Sequence, residues 1–104
     1  MKVNIRPLGR LKAQLGQKDL SWEINSNTTL KKLLKDLEEQ TAFQFTPDFV
    51  HPDFSPRRSL IVLIDGTELS VYGDAEVQLW NQAEIVLLPA IHGGSGKKII
   101  EKWP

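Results

Sequence analysis

The residues with the most evident chemical use are two adjacent glycines, Gly93 and Gly94, close to the end of the 104-residue chain. They follow the apolar run 85–91. Because glycine lacks a Cβ, its backbone can extend, take either sign of φ and enter a narrow channel in another protein. An apolar strand that runs into Gly-Gly is typical of a reactive tail. Residues 95–104 still cover this tail, so its chemistry depends on whether they are removed.

These glycines have two other possible interpretations. The run 93–96, Gly-Gly-Ser-Gly, has the composition of a flexible linker, and this alternative stays open. The run that continues through Lys98 is similar to a phosphate-binding P-loop, but it fails the motif. Ile91 occupies the position of the required first glycine, and Lys98 follows Lys97 where the motif needs Ser or Thr. We therefore exclude a P-loop.

The remaining polar residues predict no catalytic or metal site in this chain. The absence of cysteine excludes disulfides, thiolate zinc sites, cysteine-ligated iron–sulfur clusters and thiol nucleophiles. His51 and His92 are the two histidines, which is too few for a three-histidine zinc site. Aspartates 48, 53 and 65 are interpreted as turn residues. The sequence thus predicts a protein that is not an enzyme and holds no cofactor or metal.

Composition predicts a single soluble domain. Thirteen basic and thirteen acidic residues give a formal net charge of zero, which argues against nucleic acid as a partner. No apolar run approaches the length of a membrane span, and the start of the chain lacks a signal-peptide pattern. We therefore expect a cytoplasmic protein without a membrane partner.

Hydrophobic periodicity predicts the elements that hold the tail. Period-two alternation indicates strands at 1–6 and 20–24, with a polar connection at 8–18. The unbroken apolar run 60–64 predicts a third strand, the turn signal Asp65-Gly66 predicts a returning strand at 68–72, and 84–90 is the last predicted strand. Leucines 30, 33, 34 and 37 form the stripe of an amphipathic helix over about 30–40. This order predicts an α+β domain over residues 1–90, with a mixed four- to five-stranded sheet packed on one main helix. Residues 91–104 are predicted to be a flexible Gly-Gly tail with a C-terminal extension.

The segment 41–58 is unusual because it holds all four phenylalanines and three of the six prolines. Prolines this dense oppose a long helix or a central strand. The favoured interpretation is a long loop that packs at least two phenylalanines on the core. The alternative is a loop that docks a partner.

In its ordered set of motifs, the chain resembles the ubiquitin-like β-grasp fold, and within it the MoaD/ThiS family of sulfur-carrier proteins. Residues 85–94, IVLLPAIHGG, are similar to the closing pattern of that family, and 60–68 resemble its apolar strand running into Asn-Gly-Glu. Residues 8–11 resemble the segment after its first strand, and 28–34 its helix entry. The chain departs from the family at 81–83, where Asp-Gly-Asp is usual, in the long Phe/Pro segment, and in continuing past Gly94.

This resemblance implies that Gly94 is the site of covalent activation. In that family a partner enzyme uses ATP to adenylate the terminal glycine, and sulfur transfer then gives a thiocarboxylate for molybdopterin or thiamine-type biosynthesis. It implies an activating enzyme and a sulfur-acceptor synthase as partners, and the extension adds a possible processing protease. Ile91, His92 and Gly93 would be recognised as the tail.

Alternation also predicts a docking surface on the sheet. If the helix covers Ile85 and Leu87, four aliphatic residues must lie on the other face: Ile61, Leu63, Val86 and Leu88. The resemblance implies that this face binds the activating enzyme and the acceptor, with Arg10 as a further docking residue.

Two alternatives remain for residues 95–104: they are removed, or they are a permanent part of the folded protein. We expect hydrolysis of the Gly94–Ser95 bond before the protein acts. The rival is that Ile99 and Ile100 pair as an additional edge strand, with Trp103 anchored on the sheet. Two further functions stay open: a β-grasp module that is never covalently activated, and a ubiquitin-like protein modifier.

Overall fold

A computed structural model describes residues 1–16 and 18–90 and shows a five-stranded mixed sheet with helices on one side. The strands are β1 (Lys2–Pro7), β2 (Leu20–Glu23), β3 (Leu60–Ile64), β4 (Thr67–Glu68) and β5 (Glu84–Pro89). The helices are α1 (Gly9–Leu15), α2 (Leu30–Gln40) and a 3₁₀ turn (Leu69–Tyr72). The sheet order is β2-β1-β5-β3-β4, with β1 and β5 parallel and the other neighbours antiparallel. The predicted α+β class and the mixed sheet are confirmed.

Helix α2 forms where the leucine stripe predicted it. The Thr29 side chain caps the helix by accepting a hydrogen bond from the Lys32 N–H at 3.2 Å. All four stripe leucines are fully buried against the sheet. The helix ends at Gln40, and the hydroxyl of the capping residue Thr41 donates to the Leu37 carbonyl oxygen. The core therefore lies between α2 and the inner face of the sheet.

Two local predictions were wrong. The polar connection at 8–18 contains helix α1, in which Leu11 is buried and Leu15, one turn later, packs partly buried against the core. The predicted strand at 68–72 pairs with β3 only through Thr67 and Glu68 and then turns into the 3₁₀ helix. The Tyr72 hydroxyl donates to the Ile64 carbonyl oxygen at 3.0 Å, which draws the chain across the end of β3.

The Phe-rich segment packs on the domain, as the favoured interpretation predicted. Phe43, Phe45 and Phe49 are buried, and Phe54 is half-buried against the core. The Glu38 carboxylate anchors the segment to α2 by accepting bonds from the backbone N–H groups of Phe45 and Thr46, at 2.7 and 2.8 Å. The segment has little regular structure, but its buried phenylalanines and its hydrogen bonds to the Glu38 carboxylate hold it on the domain.

The turn at Asp53 gives a testable pH dependence. The Ser55 hydroxyl and N–H both donate to Asp53 Oδ1, and Lys31 lies 3.5 Å away, which lowers the pKa of Asp53 to about 2. A depressed carboxyl pKa stabilises the fold above the unfolded value, and this contribution is lost as pH falls through about 2. We expect the Ser55 amide NMR signal to titrate near pH 2. A midpoint near the ordinary value of 3.8 would show that the turn does not hold the carboxylate.

Candidate functional site

Along the neighbouring strands β3 and β5, successive side chains point to opposite faces of the sheet. On the inner face, Ile85, Leu87, Val62 and Ile64 are buried. On the outer face, the alternate residues Ile61, Leu63, Val86 and Leu88 are half-buried. The alternation predicted from the sequence is confirmed, and the described part of the chain leaves these four side chains partly open to solvent.

The outer-face aliphatics form one continuous surface because of the strand register. Ile61 is directly opposite Leu88, and Leu63 is directly opposite Val86. Directly opposed side chains on one face of an antiparallel pair are close enough to contact each other. We call these four residues the docking patch.

Charged residues border the docking patch. Arg6 is opposite Val86 on the β1 side, and Glu68 is opposite Leu63 on the β4 side. The Arg6 guanidinium donates to Asp19 at 3.2 Å, and this hydrogen bond is the main cause that raises the pKa of Arg6. An apolar centre with a charged rim is the arrangement of many protein–protein interfaces.

The chain leaves the sheet at a fixed point beside the start of β3. Pro89 is opposite Leu60, and the Ala90 N–H donates to the Ser59 carbonyl oxygen at 2.8 Å. The Ser59 hydroxyl in turn donates to the carbonyl oxygen of Asp48 in the Phe-rich segment. The root of the tail is therefore held by two segments of the domain.

Strand β5 carries two residues of the docking patch, Val86 and Leu88, and precedes the predicted tail in the sequence. Gly94 is six positions after Leu88 in the sequence, so an extended chain could span at most about 20 Å between them. The predicted tail residues Ile91, His92, Gly93 and Gly94 lie outside the described residues, and their roles stay predictions.

Arg10 lies apart from the docking patch. It is on α1, with its guanidinium 4.8 Å from the Phe49 ring centroid and 3.8 Å from the Asp48 carboxylate. Phe49 belongs to the core on the helix side of the sheet, whereas the docking patch is on the other face. The structure thus does not bring Arg10 together with the four aliphatics. The docking role of Arg10 stays a prediction, and it would require a partner that also contacts the protein outside the docking patch.

Residues 1–16 and 18–90 also bear on two other kinds of site, one for a metal ion and one for a membrane. There, no group of three or more His, Cys, Asp or Glu side chains is arranged to hold a metal ion. None of the helices in this part of the chain has the length and apolarity needed to cross a membrane.

The chain is similar to known proteins in its three-dimensional structure. No family model matches the chain, and no curated protein sequence matches it. Solved structures with the same fold include chains with TM-scores between 0.66 and 0.74.

Three of these structures carry informative names. Small archaeal modifier protein 1 from Methanosarcina acetivorans is 21% identical, with a TM-score of 0.66, and the match covers 89% of this chain and 96% of that one. The putative molybdopterin converting factor subunit 1 from Pyrococcus furiosus is 11% identical, with a TM-score of 0.69, covering 86% and 98%. A chain of the BexX/CysO complex from Amycolatopsis orientalis is 21% identical, with a TM-score of 0.67, covering 88% and 99%.

At these identities the similarity establishes the architecture. The sheet order, the covering helix α2 and the extent of the matches agree with the fold that the sequence motifs resembled. The described chain has the ubiquitin-like β-grasp fold, as the resemblance to the MoaD/ThiS family implied.

Proposed function

We propose that the protein is a ubiquitin-like sulfur carrier that becomes active when residues 95–104 are removed. Gly94 is then the terminal residue, and its carboxylate is adenylated and converted to a thiocarboxylate. The proposal includes a cytoplasmic location and a role in cofactor or metabolite biosynthesis.

The observation that carries the proposal is that β5 supplies half of the docking patch and ends at Pro89, four positions before Gly93 in the sequence. Val86 and Leu88 face outward from this strand, and Ala90 is fixed at its end. A partner that binds the docking patch therefore has the tail within reach of its active site. A slim chain on a rigid body positions the reacting atom without a catalytic side chain of its own.

The proposed chemistry takes place at the Gly94 carboxyl group. Water first hydrolyses the Gly94–Ser95 amide, with Ser95 leaving as an amine. A Gly94 carboxylate oxygen then attacks the α-phosphorus of ATP, and pyrophosphate leaves. A hydrosulfide-level sulfur donor attacks the acyl carbon, AMP leaves, and a thiocarboxylate remains. ATP is the substrate of the partner enzyme, so this chain needs no cofactor of its own.

The proposed partners are an adenylating enzyme, a sulfur-acceptor synthase and a processing protease. Support comes from two of the similar proteins: one is described as a molybdopterin converting factor subunit, and another has been solved in a complex. The apolar centre of the docking patch, with Arg6, Glu84 and Glu68 around it, suits a partner that binds and releases.

The direct test uses protein that ends at Gly94. It is incubated with ATP, a sulfide donor and the adenylating enzyme of the same organism, and intact mass is measured. We expect a mass increase that corresponds to the replacement of one carboxylate oxygen by sulfur. If this form gives neither an adenylate nor a thiocarboxylate, the carrier function is wrong.

A substitution in the docking patch tests how the partner recognises the domain. In the Gly94-terminated protein, Val86→Asp should lower kcat/KM of adenylation by about tenfold to a hundredfold, because a charge replaces the apolar centre of the interface. Arg6, opposite Val86, offers a counter-charge, so the fold should tolerate the change. The matched control is Val71→Asp, since Val71 is 72% exposed and lies outside the docking patch. Equal kinetics for the two variants would show that the partner binds elsewhere.

The same experiments separate the alternatives. A protein modifier would form the adenylate but would end as an amide bond to a lysine of another protein. A non-covalent module would bind a partner through the docking patch, with or without ATP, and would show no change of mass. The modifier alternative is kept because one of the similar proteins is described as a small archaeal modifier.

A further inference from the structure

A groove runs along the outer edge of the sheet beside β3. It has a volume of about 550 Å³. Its apolar lining consists mainly of Pro56, Leu60, Val62, Leu69 and Ala75. Charged side chains of both signs border it, namely Arg57, Arg58, Glu68 and Asp74. The groove is thus suited to a peptide that carries apolar residues together with charges of both signs.

The groove follows a stretch of β3 that β4 does not cover. In the described part of the chain, β4 pairs with β3 at Leu63 and Ile64, and no strand lies beside Leu60 to Val62 on that side. Backbone groups alternate between the two edges of a strand, so Val62 directs its N–H and C=O toward the same edge as Ile64. The Leu60 N–H is already bonded to the Arg57 carbonyl oxygen at 3.0 Å, so an extended peptide could add to β3 at this place mainly by main-chain hydrogen bonds to Val62.

The described chain ends, at Ala90, next to this groove. Ala90 is bonded to Ser59, which lies between Arg58 and Leu60, and both of these residues line the groove. The six residues 91–96 can extend over at most about 20 Å. The following residues, 97–103, are therefore within reach of the whole uncovered edge.

We propose that residues 97–103 of the same chain occupy this groove in the uncleaved protein and add a short strand beside Leu60 to Val62. The composition of the segment matches the groove. Ile99, Ile100 and Trp103 supply apolar side chains for its lining. Lysines 97, 98 and 102 can pair with Glu68 and Asp74, and Glu101 can pair with the arginine side of the rim.

The proposal gives the extension a regulatory role, and this part rests on the proposed function. Ile61 lines the groove and is also part of the docking patch. A segment bound in the groove would thus cover one edge of the surface that the adenylating enzyme must bind. Hydrolysis at Gly94 would break the covalent link, and the released peptide would leave because it loses its high effective concentration.

The test needs neither a partner enzyme nor ATP, so its failure is distinct from failure of the carrier function. Full-length protein and protein ending at Gly94 are compared by backbone amide NMR shifts and hydrogen exchange. We expect shift differences at Leu60, Val62, Leu69 and Ala75, with β2 unchanged as an internal reference. Exchange of the Val62 amide should be at least about tenfold slower in the full-length protein.

Two full-length variants make the test specific. Ile99→Asp with Ile100→Asp should give the spectrum of the truncated form at the groove. Ser95→Asp with Gly96→Asp adds the same two charges just before residues 97–103. This control variant should leave the NMR signals of the groove residues as they are in the full-length protein. Identical spectra of full-length and truncated protein, or differences confined to another surface, would overturn the proposal. Differences that grow with protein concentration would also overturn it, because they would indicate exchange with a second copy.

Discussion

Full-length protein should give no detectable acyl-adenylate under conditions in which protein ending at Gly94 reacts completely. In the full-length chain the Gly94 carbonyl is part of an amide bond to Ser95. It therefore has no carboxylate oxygen to attack ATP. The side chains of Lys97, Ile99 and Trp103 would also have to enter a channel suited to glycine. The measurement is adenylate formation by intact mass, with ATP and the adenylating enzyme present.

A form that ends at Ser95 separates the two causes. It has a free carboxylate but presents a side chain at the terminal position. If only the amide bond prevents reaction, this form should react like the Gly94-terminated protein. We expect it to react far more slowly, because the absence of a Cβ is what lets the chain pass a narrow channel. An adenylate on the full-length protein, without prior loss of residues 95–104 by mass, would contradict the maturation step.

Phe45→Ala should lower the free energy of unfolding by about 3 to 5 kcal/mol, the cost of removing a fully buried aromatic ring. The Phe45 ring is 0% exposed and stacks on Phe43 with centroids 5.3 Å apart. The measurement is denaturant unfolding of the two proteins. Phe54→Ala is the matched control. Phe54 is only half-buried and has a φ of 70°, so we expect a loss of about 1 kcal/mol.

The same substitution also tests how the Phe-rich segment supports the tail. Asp48, in this segment, accepts a bond from the Ser59 hydroxyl, and Ser59 holds Ala90. Loosening of the segment should therefore speed hydrogen exchange of the Ala90 amide more than that of amides in β2. Equal losses of stability for the two phenylalanine variants would show that Phe45 is not a core residue.

The predictions from sequence succeeded where a regular pattern continued over several residues. Leu30, Leu33, Leu34 and Leu37 repeat at the helical period, and the structure has α2 over the predicted residues. The alternation in β3 and β5 likewise predicted both faces of the sheet, because a period of two leaves one arrangement once Ile85 and Leu87 are buried.

Short elements and long-range contacts could not be predicted in this way. Helix α1 has seven residues, and its helical spacing consists of one pair, Leu11 and Leu15, which is too short a pattern to outweigh the polar residues around it. The early end of β4 is accompanied by a hydrogen bond from the Tyr72 hydroxyl to the Ile64 carbonyl oxygen, and that contact exists only in the folded chain. The separation of Arg10 from the docking patch follows from its position over Phe49, which no local pattern encodes.

The parallel pairing of β1 with β5 has a consequence for the order of events in the cell. Asn4 is opposite Glu84, so the centre of the sheet joins residues that are 80 positions apart in the sequence. Contacts between such distant residues form late and slow folding compared with local contacts. A ribosome must therefore release almost the whole described domain before the sheet can close. Under the proposed function, an adenylating enzyme that recognises β5 would thus act on molecules that have finished folding and would not activate incomplete ones.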